Sequence, residues 1–211
     1  MRAQDLMTTP VVTVGPDTPA KEAVRLLTGH GFAALPVVAP DDRLLGVVSE
    51  ADLLRNRILP DPRALIHNDA IHNDAPAPTG PPPSIVAEVM TTDVVVAGRD
   101  AHAAELSRLM LDRHLRSLPV VDGDRLVGIV SRVDLLRMIA RDDDAIARDV
   151  SGHLSAAGRR RWDVAVADGV VTLASEGADE TDRHIAAVIA GAAPGVVDVR
   201  IADDLAGPAH R

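Results

Sequence analysis

The chain has 211 residues, of which 46% are apolar and 1% aromatic, with no cysteine and a formal net charge of −9. The missing cysteine excludes a disulfide framework, a thiolate metal site and a cysteine nucleophile. The acidic balance argues against nonspecific binding to nucleic acid or anionic lipid, both of which need clustered Lys and Arg.

The N-terminus, Met1 to Asp5, shows no apolar signal region, and no later run approaches membrane-spanning length. A soluble cytoplasmic protein is therefore expected. Val11 to Val14 is a short β-branched run stopped by Gly15-Pro16-Asp17. Thr18-Pro19 then opens a helix, with Thr18 as N-cap, whose buried stripe is Ala20, Ala23, Val24 and Leu27 and which His30-Gly31 closes. Two strands follow, Leu35 to Val38 and Leu44 to Val48, and then a helix from Glu50.

The same order returns further on. Val94 to Ala97 predicts a strand, and Ala101 to Arg113 a helix with Ala104, Leu106, Leu109 and Met110 as its apolar positions. Leu118 to Val121 and Leu126 to Val130 form a hairpin around Asp122-Gly123, and a helix begins at Arg132. The two copies match in residues as well as in pattern. Leu6-Met7-Thr8-Thr9 matches Val89-Met90-Thr91-Thr92, Leu35-Pro36-Val37-Val38 matches Leu118-Pro119-Val120-Val121, and Gly46-Val47-Val48-Ser49 matches Gly128-Ile129-Val130-Ser131. Asp52-Leu53-Leu54-Arg55 and Asp134-Leu135-Leu136-Arg137 follow in turn. The second copy is one residue shorter in the hairpin loop, where an indel is best tolerated.

Between the copies, residues 59–84 are rich in Pro, Asp and Ala and read as an extended or disordered linker. A tandem duplication, Ile66 to Ala70 and Ile71 to Ala75, brings His67, Asp69, His72 and Asp74 together. Metal ligation by these four is weighed against replication slippage in a solvated loop, and slippage is preferred. Beyond Asp142-Asp143-Asp144 the pattern changes. A helix from Ala145 to Ala156, strands at Trp162 to Ala167 and Val170 to Ala174 around Asp168-Gly169, a helix from Glu180 to Ala192 with Ile185, Val188 and Ile189 inward, and a strand from Val196 to Ile201 make a separate small unit. Trp162 is read as core rather than as an interface anchor.

Ser49 and Ser131 each stand at a strand-to-helix junction, with Asp52 and Asp134 on the first helical turn. A helix N-terminus attracts phosphate, and a carboxylate one turn in can accept from both hydroxyls of a ribose. The competing reading is a capping box, in which Ser and Asp only satisfy the ends of the backbone. The recurrence of the motif inside two long matching copies favours the functional reading. The elements of a hydrolase triad, Ser131, His114 and Asp134, occur without a Gly-x-Ser-x-Gly elbow, so an enzyme is not expected. His114 reads better as a helix C-terminal residue than as a ligand.

Two copies of strand–helix–strand–strand–helix carrying these motifs resemble a pair of CBS domains, over about residues 1–140. The resemblance implies an α/β (α+β) fold of two pseudo-symmetric β-α-β-β-α repeats, 1–58 and 85–141, forming one module that homodimerises. It also implies a cleft for an adenosine nucleotide (AMP, ADP, ATP or S-adenosylmethionine) acting as a regulatory ligand, with no cofactor required. Carried over by position, Asp52 and Asp134 hold ribose, with Ser49 and Ser131 beside them. Thr8 to Val11 and Thr91 to Val94 flank adenine, each opening segment lining the site that bears the Asp of the other repeat. Arg116, where the first copy has Ala33, reaches phosphate.

The C-terminal unit, 142–202, resembles a BON domain in Val164 to Leu173, in Pro194-Gly195-Val196-Val197-Asp198-Val199 and in its α-β-β-α-β order; it departs at Ser175-Glu176-Gly177, where a glycine usually follows the second strand directly. An interaction module is the role carried over; the phospholipid role proposed for that family is not, and neither membrane nor nucleic acid is an expected partner. The tail, 203–211, is expected to be disordered. The alternative overall reading is a ligand-free structural module in which the Ser-x-x-Asp motifs are only caps.

Overall fold

The computed structural model describes residues 1–55, 82–159 and 161–202. Most of the expected linker, its His/Asp duplication and the tail lie outside the described residues. The first repeat comprises α1 (Ala3–Leu6), α2 (Ala20–His30), β1 (Ala34–Val38), β2 (Leu44–Ser49) and α3 (Glu50–Leu54). The second opens with a 3₁₀ turn (Val86–Glu88) and continues with β3 (Ala97–Gly98), α4 (Ala103–Asp112), β4 (Ser117–Asp122), β5 (Arg125–Ser131) and α5 (Arg132–Ile139). The C-terminal unit is α6 (Asp143–Ala156), β6 (Asp163–Ala167), β7 (Val170–Ala174), α7 (Glu180–Gly191) and β8 (Asp198–Ala202), with sheet order β6-β7-β8.

Within each repeat the two long strands pair antiparallel, Leu35 opposite Val48 and Leu118 opposite Val130. Their inward side chains, Leu35, Val37 and Val48 in one repeat and Leu118, Val120 and Val130 in the other, are fully buried against α2 and α4. Gly31, with φ 68°, ends α2 in the left-handed conformation that glycine adopts without steric cost, and its N–H donates to the Leu27 carbonyl.

The cores are not closed within a repeat. Val86 is fully buried in the first repeat's core, with Val89 and Met90 packed on it, although all three belong to the second copy. Ala3, Leu6 and Met7 do the same in the second core. Each opening segment thus crosses to the other repeat. Two antiparallel bridges pin the crossings. Thr8 N–H donates to Ile129 O at 2.8 Å, and Thr91 and Val47 exchange both bonds at 2.9 Å.

Of the run Val11 to Val14, only Val14 joins a sheet, as a parallel bridge to Val37; its counterpart is the two-residue strand β3 beside Val120 and Val121. Among the described residues, the remainder of each run makes no strand pairing. Thr18 does not cap α2. Pro19 takes the N-cap position, Thr18 Oγ1 accepts from Gly15 N–H at 3.0 Å, and the Ala20 N–H finds the Ser84 carbonyl at 2.9 Å. A tertiary acceptor has replaced the side-chain cap. Of the expected apolar positions of α4, Leu106 and Met110 are buried and Leu109 is half-buried, but Ala104 is exposed. On α7 the buried residues are Ala186 and Ala190, so Val188, about half a turn away, is 60% exposed.

At the entry to the second repeat the Glu88 carboxylate accepts from the Ser84 backbone N–H at 2.8 Å and from its hydroxyl at 3.0 Å. These bonds to the charged form hold the Glu88 carboxyl below the usual carboxylate range. At the far end, Arg141 joins α5 to the C-terminal unit, donating to Pro194 O at 2.9 Å and to Asp149 at 2.7 Å. Asp168 and Gly169 both have positive φ, as a two-residue hairpin turn requires, and the Asp143 carboxylate accepts from both of their N–H groups. Trp162 lies in the core of this unit, 7% exposed, with Ile146, Val150, Leu154, Val171 and Leu173.

Candidate functional site

Because the opening segments cross over, each repeat's Ser-x-x-Asp faces the other repeat's Met-Thr segment. Two cavities result. One, of about 430 Å³, is lined by Ser49 and Asp52 from the first repeat and by Thr91, Val94 and Arg116 from the second. The other, of about 630 Å³, is lined by Ser131 and Asp134 from the second repeat, with Thr8 and Val11 from the first. All nine residues singled out in the sequence therefore line one cavity or the other. Ala33, Ala34, Glu50, Arg116 and Ser117 line both, so the two hollows adjoin.

The local geometry at the two Asp residues is nearly the same. Asp52 Oδ2 accepts from the Ser49 N–H at 3.0 Å and from its hydroxyl at 2.6 Å. Asp134 Oδ2 accepts from the Ser131 N–H at 2.8 Å and from its hydroxyl at 2.6 Å. The capping interaction is thus made, but it uses one carboxylate oxygen. The other oxygen meets a guanidinium one turn on, Arg55 at 3.8 Å in the first repeat and Arg137 at 3.0 Å in the second. Both Arg side chains are largely exposed, whereas the Asp side chains are 13% and 12% exposed. With the guanidinium end largely in water the ion pair contributes little and is readily exchanged for another partner. The free oxygen can therefore turn to a hydroxyl donor while the cap stays intact, so the capping and binding readings are compatible.

Arg116 is 70% exposed and pairs with Glu50 of the other repeat at 3.2 Å. Its position just before β4 places it between the two hollows. His114, with φ 54°, ends α4 where the first copy has Gly31, and it also lines the Asp52 cavity.

Other lining residues were not singled out in the sequence. Glu50 and Arg132 occupy equivalent places at the first position of α3 and α5. Arg132 donates to Met110 O at 2.9 Å, in the last turn of α4, and to Leu115 O at 2.7 Å, in the connection that follows it. Asp93 lines the Asp52 cavity, and Phe32, stacked on His30 at 4.9 Å, lines the Asp134 cavity. The signal that could have found them was the mismatch between copies at otherwise aligned positions. Among the described residues no cluster of His, Asp and Glu could hold a metal ion, and no helix is long and apolar enough to cross a membrane.

Comparison with known proteins covers the same region. The CBS domain family model matches residues 3–58 and 86–141. The CBS domain-containing protein YhcV of Bacillus subtilis is 33% identical over 132 residues, spanning 63% of this chain and 81% of that protein. Inosine-5'-monophosphate dehydrogenase of Methanocaldococcus jannaschii is 30% identical over 154 residues, spanning 72% of this chain but only 26% of the enzyme. Among solved structures, CBSX2 in complex with AMP aligns with a TM-score of 0.51 at 29% identity, covering 64% of this chain and 93% of that one. With two family matches and two crossed repeats that generate paired cavities, the chain belongs to the CBS domain family.

Proposed function

We propose that this chain is a non-catalytic regulatory module that binds an adenosine nucleotide in the cleft between its CBS repeats. The observation that carries this is the crossing. It sets Thr8 and Val11 opposite Ser131 and Asp134, and Thr91 and Val94 opposite Ser49 and Asp52, in hollows of small-molecule size. The likeness to CBSX2, solved with AMP, supports an adenosine ligand. Asp52 and Asp134 accept from ribose hydroxyls through the oxygen not used in the cap. Thr8, Val11, Thr91 and Val94 flank the base. Ligand binding changes the packing of the repeats only as far as it favours one arrangement over the other.

The C-terminal unit, 142–202, serves as an interaction module in the manner of a BON domain, held to α5 through Arg141. The protein acts in the cytoplasm as a homodimer through the CBS module. Leu54 on α3 and Val133 and Leu136 on α5 are more than half exposed and are the apolar surface such a dimer would cover. Light scattering of the purified chain should give twice the monomer mass; a monomer at micromolar concentration rules the dimer out.

Equilibrium dialysis with AMP, ADP, ATP and S-adenosylmethionine tests the ligand. At least one should bind below millimolar concentration. Asp134→Ala should weaken its binding by about tenfold or more, the loss of a charge-assisted contact, with about 1 kcal/mol lost in stability from the cap. The second reading, a ligand-free scaffold, draws on the complete Ser–Asp caps. It predicts the same stability loss from Asp134→Ala and no binding of any of the four ligands by the wild type.

A further inference from the structure

The two cavities descend from one repeat yet differ in charge. Among the described residues the Asp52 cavity is lined by three carboxylates, Glu50, Asp52 and Asp93, against the one guanidinium of Arg116. The Asp134 cavity holds three guanidiniums, Arg116, Arg132 and Arg137, against Glu50 and Asp134. The contrast has identifiable sources. Asp93 stands where the first repeat has Pro10, and Arg132 stands where the first repeat has Glu50. Arg137 lines its cavity and holds Asp134 at 3.0 Å, whereas its counterpart Arg55 lines an adjoining hollow beside Glu88 and reaches Asp52 only at 3.8 Å.

The cations of the Asp134 cavity are also differently committed. Arg132 bonds only to the backbone carbonyls of Leu115 and Met110, so among the described residues no carboxylate cancels its charge. Arg137 is held by the oxygen of Asp134 that a ribose would claim, and would be released as the sugar arrives. Arg116 is exposed and tied only to Glu50. An anionic group entering here meets one fixed and two exchangeable guanidiniums. In the Asp52 cavity the same group meets Asp93 and Glu50, with Arg116 as the one lining guanidinium among the described residues and Arg55 reaching Asp52 only from the adjoining hollow, at 3.8 Å.

We propose that the two cavities sort ligands by charge: the Asp134 cavity takes the phosphorylated adenosine, and the Asp52 cavity takes an adenosine derivative without phosphate. This rests on the nucleotide-binding reading above and adds to it which site accepts which ligand. At the few ångströms involved, Coulomb energies near a protein surface are large enough that AMP should prefer the Asp134 cavity by about tenfold or more at low salt.

The test is isothermal titration of the full chain with AMP and, separately, with adenosine. For the wild type, AMP should show one tight event per chain, weakening as salt rises, and adenosine should show binding with little salt dependence. Asp134→Ala should remove the tight AMP event. Asp52→Ala should leave it within about twofold while lowering the adenosine stoichiometry. Asp93→Asn, a conservative change that lines only the Asp52 cavity, should raise AMP affinity at the weaker site several-fold. Two equal AMP events in the wild type, or loss of the tight event in Asp52→Ala with its retention in Asp134→Ala, would overturn the sorting. If the wild type binds neither AMP nor adenosine, the nucleotide reading itself falls and takes the sorting with it.

Discussion

Replacing Gly46 by alanine lowers the stability of the protein by about 1–3 kcal/mol and weakens ligand binding at the Asp52 cavity. A Cβ at Gly46 would stand 2.8 Å from the Thr91 carbonyl oxygen and 3.1 Å from the Met90 sulfur. The sulfur belongs to a flexible side chain and can move. The carbonyl cannot, because it accepts from Val47 N–H at 2.9 Å while Thr91 N–H donates to Val47 O at 2.9 Å. Shifting it breaks the bridge that places Thr91 and Val94 over Asp52. The unfolded-state benefit of alanine over glycine, about 0.4–1 kcal/mol, offsets only part of this. Gly128 is the counterpart, but there the added Cβ would collide chiefly with the Met7 side chain, whose Cγ would be 2.7 Å away. Urea denaturation of Gly46→Ala beside the wild type checks the prediction. An unchanged midpoint would mean that the repeats do not depend on this close approach.

Trp162→Ala should cost more, about 3–5 kcal/mol, and the loss should be confined to the C-terminal unit. Every buried residue of the Trp162 cluster, from Ile146 to Ala193, belongs to that unit. The indole nitrogen has no hydrogen-bond partner among the described residues. Trp162→Phe therefore forfeits packing volume but no polar contact, and should cost clearly less than the alanine change. Thermal unfolding followed by far-ultraviolet circular dichroism separates the two variants. Nucleotide titration of Trp162→Ala at a temperature below its transition should still report the affinity of the CBS cleft. Equal losses from Phe and Ala would indicate that the indole nitrogen makes a bond in solution.

How far the molecule could be read in advance differs from one element to another. The strands around Leu35, Leu44, Leu118 and Leu126 and the helices that follow them were legible because each is a local pattern of apolar spacing ended by a turn residue. The four-residue helix α1 and the 3₁₀ turn at Val86–Glu88 were not, since both are held by contacts to distant chain, Ala3 N–H to Ala101 O and Val86 N–H to Thr18 O. Thr18 and Val188 were misplaced for the same reason. A tertiary acceptor at Ser84 took over the cap of α2, and the packing partner of α7 selected its small alanines instead of its larger valine.

The sequence alone determined the duplication, the family, and the residue types at each Ser-x-x-Asp, because two matching copies can be compared position by position without knowing where either lies in space. The resemblance already implied that each opening segment lines the other repeat's site; only the tertiary structure decided that its apolar residues complete the opposite core, that Arg116 and Glu50 line both hollows, and that among the described residues one hollow gathers cations while the other gathers carboxylates. The physical reason is that backbone pattern is written over a few neighbouring residues. The charge a ligand meets is instead the sum of side chains brought together from segments some eighty residues apart.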